Sequence, residues 1–200
     1  MRHDALRNYE RILDAARDLF GETGADTCME DIAARAGVGV GTVYRRFSSK
    51  DALIDELLRL VVAELITASD SALARTDGSG LELLLRAFGK SFADHAHYAD
   101  LLLDRQPDPA VTRQLRAAMA ELTDRAVAAG TVSKSVTTAD VVALVSSMRG
   151  LVKETKAAPE PGSSMREPMK ETKGAPAPDW QRFLDIHLAG MRCADWAGGR

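Results

Sequence analysis

Apolar side chains return every three or four positions along almost the whole chain and no run alternates with a period of two, so the pattern predicts helices and no strands. Ile12, Leu13, Ala16, Leu19 and Phe20 make one stripe over Tyr9 to Phe20, which Gly21 and Gly24 close. Thr27-Cys28-Met29-Glu30 fits a capping box, so a second helix runs through Ile32 and Ala33 to Ala36 and ends at Gly37. A short third helix covers Val40 to Phe47. Ser48-Ser49-Lys50-Asp51 is another cap, and Leu53, Ile54, Leu57, Leu58, Val61 and Leu65 carry a long fourth helix toward Arg75.

Asp77-Gly78-Ser79-Gly80 reads as a turn. Beyond it Leu81, Leu84, Leu85, Phe88, Phe92 and His95 line one face of a helix ending near Tyr98, followed by a short piece over Ala99 to Arg105. Val111, Leu115, Ala118, Met119, Leu122 and Ala126 mark the next helix, closed by Gly130. Thr137 to Asp140 caps another, whose Val141, Val142, Leu144, Val145, Met148, Leu151 and Val152 spread over more than one face and predict burial on two sides. Trp180, Phe183, Leu184, His187, Leu188 and Met191 give a last helix. Between these two, residues 153–178 hold five of the seven prolines, no aromatic residue, and a near-repeat: Lys153-Glu154-Thr155-Lys156-Ala157-Ala158-Pro159 against Lys170-Glu171-Thr172-Lys173-Gly174-Ala175-Pro176. That composition predicts a flexible insertion with little to bury.

Composition narrows the class. With 46% hydrophobic and 28% charged residues the 200-residue chain reads as globular. The longest stretch free of charge, Ala36 to Tyr44, is far below the roughly 18 residues of a membrane span, and the N-terminus lacks a secretory h-region, so a cytoplasmic protein without membrane contact is expected. Cys28 and Cys193 read as unpaired thiols, and no cofactor or metal is expected, since no phosphate loop, metal-spaced set or nucleophile with a base appears. His95 and His97 are two apart, so on a helix they point away from each other. A net charge of −3 argues against a non-specific coat on nucleic acid, so any DNA contact must be focused. Arg45, Arg46 and Lys50 form the one basic cluster of the first fifty residues, in a stretch free of acids from Ala33 onward.

A helix of about eight residues is not stable alone, so the third must be held by its neighbours. Val43 and Phe47 are its anchors, one turn apart, which turns Gly41, Thr42, Tyr44 and Arg45 outward and leaves Arg46 on the flank. A glycine that lets another surface approach, a hydroxyl, a phenol and a guanidinium suit DNA: Arg45 reads guanine, while Thr42, Tyr44 and Lys50 hold phosphate oxygens, Lys50 at a helix start that itself favours an anion. On spacing alone the same residues would serve equally as the solvated face of a helical bundle.

The segment ILDAARDLFGETGADTCMEDIAARAGVGVGTVYRRFSSKDALIDEL, Ile12 to Leu57, resembles the N-terminal domain of the TetR family of regulators. Ala15-Ala16, Leu19-Phe20, Gly24, Ile32-Ala33, Ala36-Gly37-Val38, Gly41-Thr42, Tyr44, Phe47, Lys50 and Leu53 stand at the family's spacings. The resemblance implies a dimeric helix-turn-helix protein whose third helix enters the major groove. Thr42, Tyr44 and Lys50 would then lie on phosphates, with Val40, Gly41 and Arg45 near base edges. Cys28 departs from the pattern, standing where the family often has a threonine that caps the second helix and touches phosphate. Thr27 is the expected substitute, both as cap and as a DNA contact.

These readings combine into an all-α chain: a three-helix, helix-turn-helix DNA-binding domain over residues 1–50, and a helical ligand-binding and dimerisation domain over residues 51–197 carrying the proline-rich insertion at 153–178. A ligand pocket is expected among Phe88, Phe92, His95, Tyr98, Met119, Thr123 and Met148, each of which would also suit plain core. A homodimer interface is expected from Val141, Leu144, Val145, Met148, Trp180, Phe183, Leu184, His187, Leu188 and Met191. The expected function is a repressor that a small-molecule effector releases from a near-palindromic operator. The alternatives are an activator or ligand-independent regulator of the same fold and a small helical enzyme, for which no catalytic set stands in the sequence.

Overall fold

The structure, a computed structural model, describes residues 2–103, 105, 107–157 and 179–192, and all regular structure among them is helical. In chain order the helices are α1 (Arg2–Thr23), α2 (Met29–Ala36), α3 (Val40–Arg46), α4 (Lys50–Leu73), α5 (Gly80–Asp94), α6 (Ala99–Leu103), α7 (Pro109–Ala128), α8 (Thr138–Ala157) and α9 (Trp180–Arg192). Short 3-10 turns at Gly24–Asp26 and Ala96–Tyr98 link α1 to α2 and α5 to α6. Two compact units result, one built from Met1–Ile66 with His97–Arg113 and the other from Thr67–Ala96 with Gln114–Arg200.

The first unit is organised by the stripe of α1. Ile12, Ala16 and Phe20 are buried against Ile32 and Ala33 of α2, Val43 of α3, and Leu53 and Leu57 of α4, with Tyr98 in the same cluster. Gly21 does not end the helix as the sequence suggested: α1 continues to Thr23, and it is Gly24, at φ +59°, that turns the chain. The reason lies far away in sequence. A Cβ on Gly21 would stand 2.7 Å from the His97 ring, so this glycine makes room rather than a turn. Arg105 bridges Asp51 and Asp55 of α4, tying the distant segment to the same unit.

In the second unit α5 packs on α8 and α9, and these two pack on each other. Thr137 caps α8 reciprocally with Asp140: the Asp140 amide donates to the Thr137 hydroxyl, while the Thr137 amide and hydroxyl donate to the Asp140 carboxylate. Val141, Leu144 and Met148 of α8 and Leu184 and Leu188 of α9 are buried inside the chain itself. The expected dimer interface is therefore corrected for these five residues, whose apolar surface is already buried within this chain, where α5, α8 and α9 pack on one another. The outer face of α8 is small and polar instead: Ala143, Ser146, Ser147 and Gly150 are exposed, with Val142 and Val145 half-buried. On α9, Ile186 is 59% exposed and His187, Ala189 and Gly190 are exposed beside half-buried Trp180, Phe183 and Met191.

The expected pocket is also redrawn. Tyr98 belongs to the core of the first unit, where burial raises its phenol pKa, and not with the residues of the second. Phe88, Met119, Thr123 and Met148 are packed core, the Thr123 hydroxyl donating to the Met119 carbonyl at 2.7 Å. Phe92 stacks at an angle on Phe88, and His95 Nδ1 lies 2.7 Å from the Ser91 carbonyl as the cap of α5. Two cavities of about 400 and 430 Å³ among the described residues are lined by none of the seven. α8 runs on through Ala157, so residues 153–157 of the predicted insertion are helical; the remainder of that segment and Cys193 lie outside the described residues.

Candidate nucleic-acid interface

Eight residues suffice for α2 because both of its ends are closed. Gly37 takes the left-handed conformation at φ +63°, its amide donating to the Ala34 carbonyl while that of Val38 reaches Ala33, the pairing that satisfies a helix's last carbonyls. At the other end the cap is Cys28 and not Thr27, which corrects the sequence reading. The Asp31 amide donates to the Cys28 sulfur at 3.4 Å, and the Cys28 thiol donates to the Asp31 carboxylate at 2.9 Å. That bond holds the proton on sulfur and raises the thiol pKa. Thr27 is only 3% exposed, and its hydroxyl is occupied by the Leu19 and Gly24 carbonyls and by Thr23. It is a staple between α1 and the turn, with no surface left for a phosphate.

After the Gly37–Gly39 turn, the seven residues of α3 are held through one face. Val43 is 0% and Phe47 5% exposed, and the Phe47 ring stacks on Tyr9 with centroids 6.0 Å apart. Tyr9 in turn hydrogen-bonds Glu56, which also takes two bonds from Arg59. These bonds hold the Glu56 carboxyl below the usual carboxylate range, the Arg59 contribution being largest. The opposite face of α3 is open. Val40 is 40% and Tyr44 44% exposed, Gly41 and Arg45 are exposed, and Thr42 is half-buried. A Cβ on Gly41 would meet nothing within 4 Å, so no neighbour in this chain explains a glycine there.

Two expected contacts are engaged elsewhere. The Arg46 guanidinium lies 4.6 Å from the centre of the Tyr9 ring, a cation–π contact that assigns it to the α1–α4 side and away from Arg45. The Lys50 ammonium donates to the carbonyls of Ala25 and Thr27, at 2.5 and 3.3 Å, and so fastens the start of α4 to the turn before α2. One neighbour escaped the sequence reading: Glu30 of α2, whose carboxylate stands 3.4 Å from the Tyr44 hydroxyl and raises the phenol pKa mainly through its charge. An i+14 contact between two helices has no periodic signature; only the angle at which α2 meets α3 creates it.

Two short helices joined by a three-residue glycine turn, the second held by one face and open on the other, define a helix-turn-helix protein. The model of bacterial regulatory proteins of the tetR family matches residues 12–57. A TetR transcription regulatory protein from Mycobacterium vanbaalenii is 34% identical over 78% of this chain and 96% of its own, with a TM-score of 0.57. A TetR transcriptional regulator from Streptomyces coelicolor is 27% identical over 92% and 97%, with a TM-score of 0.60. This chain belongs to the TetR family. An HTH-type transcriptional regulator of Staphylococcus aureus is 44% identical over 54 residues, which span 26% of this chain and only 29% of that relative.

Proposed function

We propose that the chain is a homodimeric repressor that reads a near-palindromic operator through α3 and leaves it when a small molecule binds. The observation that carries the DNA contact is the open face of α3, where Gly41 has empty space before it and Arg45 is exposed with Tyr44 and Val40 beside it. Glycine within a helix costs about 1 kcal/mol relative to alanine, and here the close approach of a groove would offset that cost. Arg45 takes a base edge, Thr42 and Tyr44 take phosphates, and Lys50 positions the turn from which α2 starts.

Dimerisation is assigned to the outer faces of α8 and α9, where Val145, Phe183, Ile186 and His187 flank the small residues Ala143, Gly150 and Gly190. Small side chains let helices approach closely, and an exposed isoleucine gains by burial. Two-fold pairing would set two α3 helices about one DNA turn apart. The described residues include no helix long and apolar enough to cross a membrane. For the effector, a cavity of about 400 Å³ between α5, α7 and α9 has the size of a small-molecule site.

The test is a DNA-retardation assay with the region upstream of the protein's own gene, followed by footprinting. A protected near-palindrome, lost on Arg45→Ala while weak binding to random duplex persists, is the expected result. Binding of equal strength to every duplex would remove the operator, and no binding at all would remove the function. A deletion-strain reporter whose output rises fits repression, and one whose output falls would reverse the sign of the effect.

A further inference from the structure

We propose that Glu30 is a positioning residue that sets the affinity of the DNA face by competing with duplex phosphates for the Tyr44 phenol. The inference rests on the reading of α3 as the DNA-contacting helix and goes beyond it, because it assigns a role to an acid on α2.

Helix N-termini attract anions, and a helix-turn-helix commonly has that property to offer a phosphate. The first turn of α2 is already filled with the chain's own charge. Glu30 and Asp31 both stand in it, and Cys28, at the cap, exchanges hydrogen bonds with Asp31 in both directions. Lys50, expected to hold a phosphate, donates instead to two carbonyls of the preceding turn. What remains at the junction of α2 and α3 is an exposed phenol with an exposed carboxylate 3.4 Å away. A hydroxyl–oxygen bond of that length is weak, so the phenol is held loosely and can pass to a better acceptor. Any phosphate that takes it must come close to the Glu30 carboxylate, and like charges separated by a few ångströms at a wet surface repel appreciably.

The penalty falls on phosphate approach and carries no sequence information, since phosphate contacts position a protein while base edges specify it. Removing it should tighten all duplexes by one factor and leave the ratio of operator to random binding unchanged. It should also act through Tyr44.

The experiment is fluorescence anisotropy with the full chain, on the footprinted upstream duplex and on a random duplex of equal length, for wild type, Glu30→Ala, Glu30→Gln, Tyr44→Phe and the double variant Glu30→Ala/Tyr44→Phe. Circular dichroism checks that α2 survives. Glu30→Ala should tighten both duplexes by about five-fold, the scale of a screened unit-charge repulsion. Glu30→Gln, which keeps an acceptor and loses the charge, should gain at least about two-fold. In the Tyr44→Phe background the gain from Glu30→Ala should shrink below about two-fold, the coupling expected of residues that act on one contact. Unchanged or weaker binding by Glu30→Ala overturns the proposal. So does an equal gain with and without the Tyr44 hydroxyl, because Glu30 would then repel the backbone on its own. Wild-type protein that binds neither duplex overturns the DNA reading and this inference with it, whereas wild-type binding with a silent Glu30 overturns the inference alone.

Discussion

Gly41 is the residue at which stability and function are expected to part company. Its surroundings are empty and its backbone is helical, so alanine fits without strain and reduces the freedom of the unfolded chain. Gly41→Ala should raise the unfolding free energy by about 0.4–1 kcal/mol, visible as a higher melting temperature. The same methyl group would stand on the surface proposed to meet the groove, so operator affinity should fall by at least about ten-fold, the size of a lost base contact. A variant that is both more stable and equally tight on the operator would show that α3 does not approach DNA through Gly41. At this scale the outward set on α3 was legible in the sequence, because two buried anchors fix a helical wheel. The cap of α2 was not. Thr27 and Cys28 are adjacent, either can serve as a cap, and the choice is made by Leu19 and Gly24, whose carbonyls claim the Thr27 hydroxyl.

Between elements, α5 and α9 fit closely at one point. Gly89 is buried in α5, and a Cβ there would overlap the six-membered ring of Trp180. Gly89→Ala should therefore cost about 1–3 kcal/mol, the usual range for overpacking, despite the better helix propensity of alanine. Truncating the ring should relieve the strain: in a Trp180→Ala background, Gly89→Ala should be neutral or stabilising. Chemical denaturation of the four proteins checks this, and equal costs in both backgrounds would detach the two residues. The sequence showed Trp180 as the head of an apolar stripe, and nothing in it joined that residue to Gly89. The same limit applies to α8. Its apolar residues spread too widely for one contact, and periodicity alone did not tell whether α5 or a second chain takes the surplus. Burial of Val141, Leu144 and Met148 within the chain assigns most of it to α5 and α9.

For the molecule as a whole, the near-repeat at residues 153–178 invites removal of one copy. Since α8 continues to Ala157, the cut belongs after it: deleting residues 158–174 joins Ala157 to Ala175 and keeps all of α8 and α9. Loop-closure entropy changes by only about 0.6 kcal/mol per halving of a flexible loop. The shortened protein should remain dimeric in sedimentation, bind its operator within a few-fold of wild type, and melt within a few degrees of it. Loss of the dimer or of folding would mean that the segment spans a distance one copy cannot cover, or carries contacts of its own. An all-helical chain was readable from periodicity and caps, and its N-terminal helix-turn-helix from the resemblance of Ile12 to Leu57 to the TetR family. The grouping of Tyr98 with α1 was not, because the segment after α5 reaches the first unit from far along the sequence. The seat of Trp180 on Gly89 also bears on how such a chain can lengthen. A ring that fits only where a side chain is missing works as an alignment pin: α9 finds its register from its own first residue, whatever precedes it. A gene segment can then be copied in tandem ahead of the pin, and lost again, without the last helix sliding by a turn.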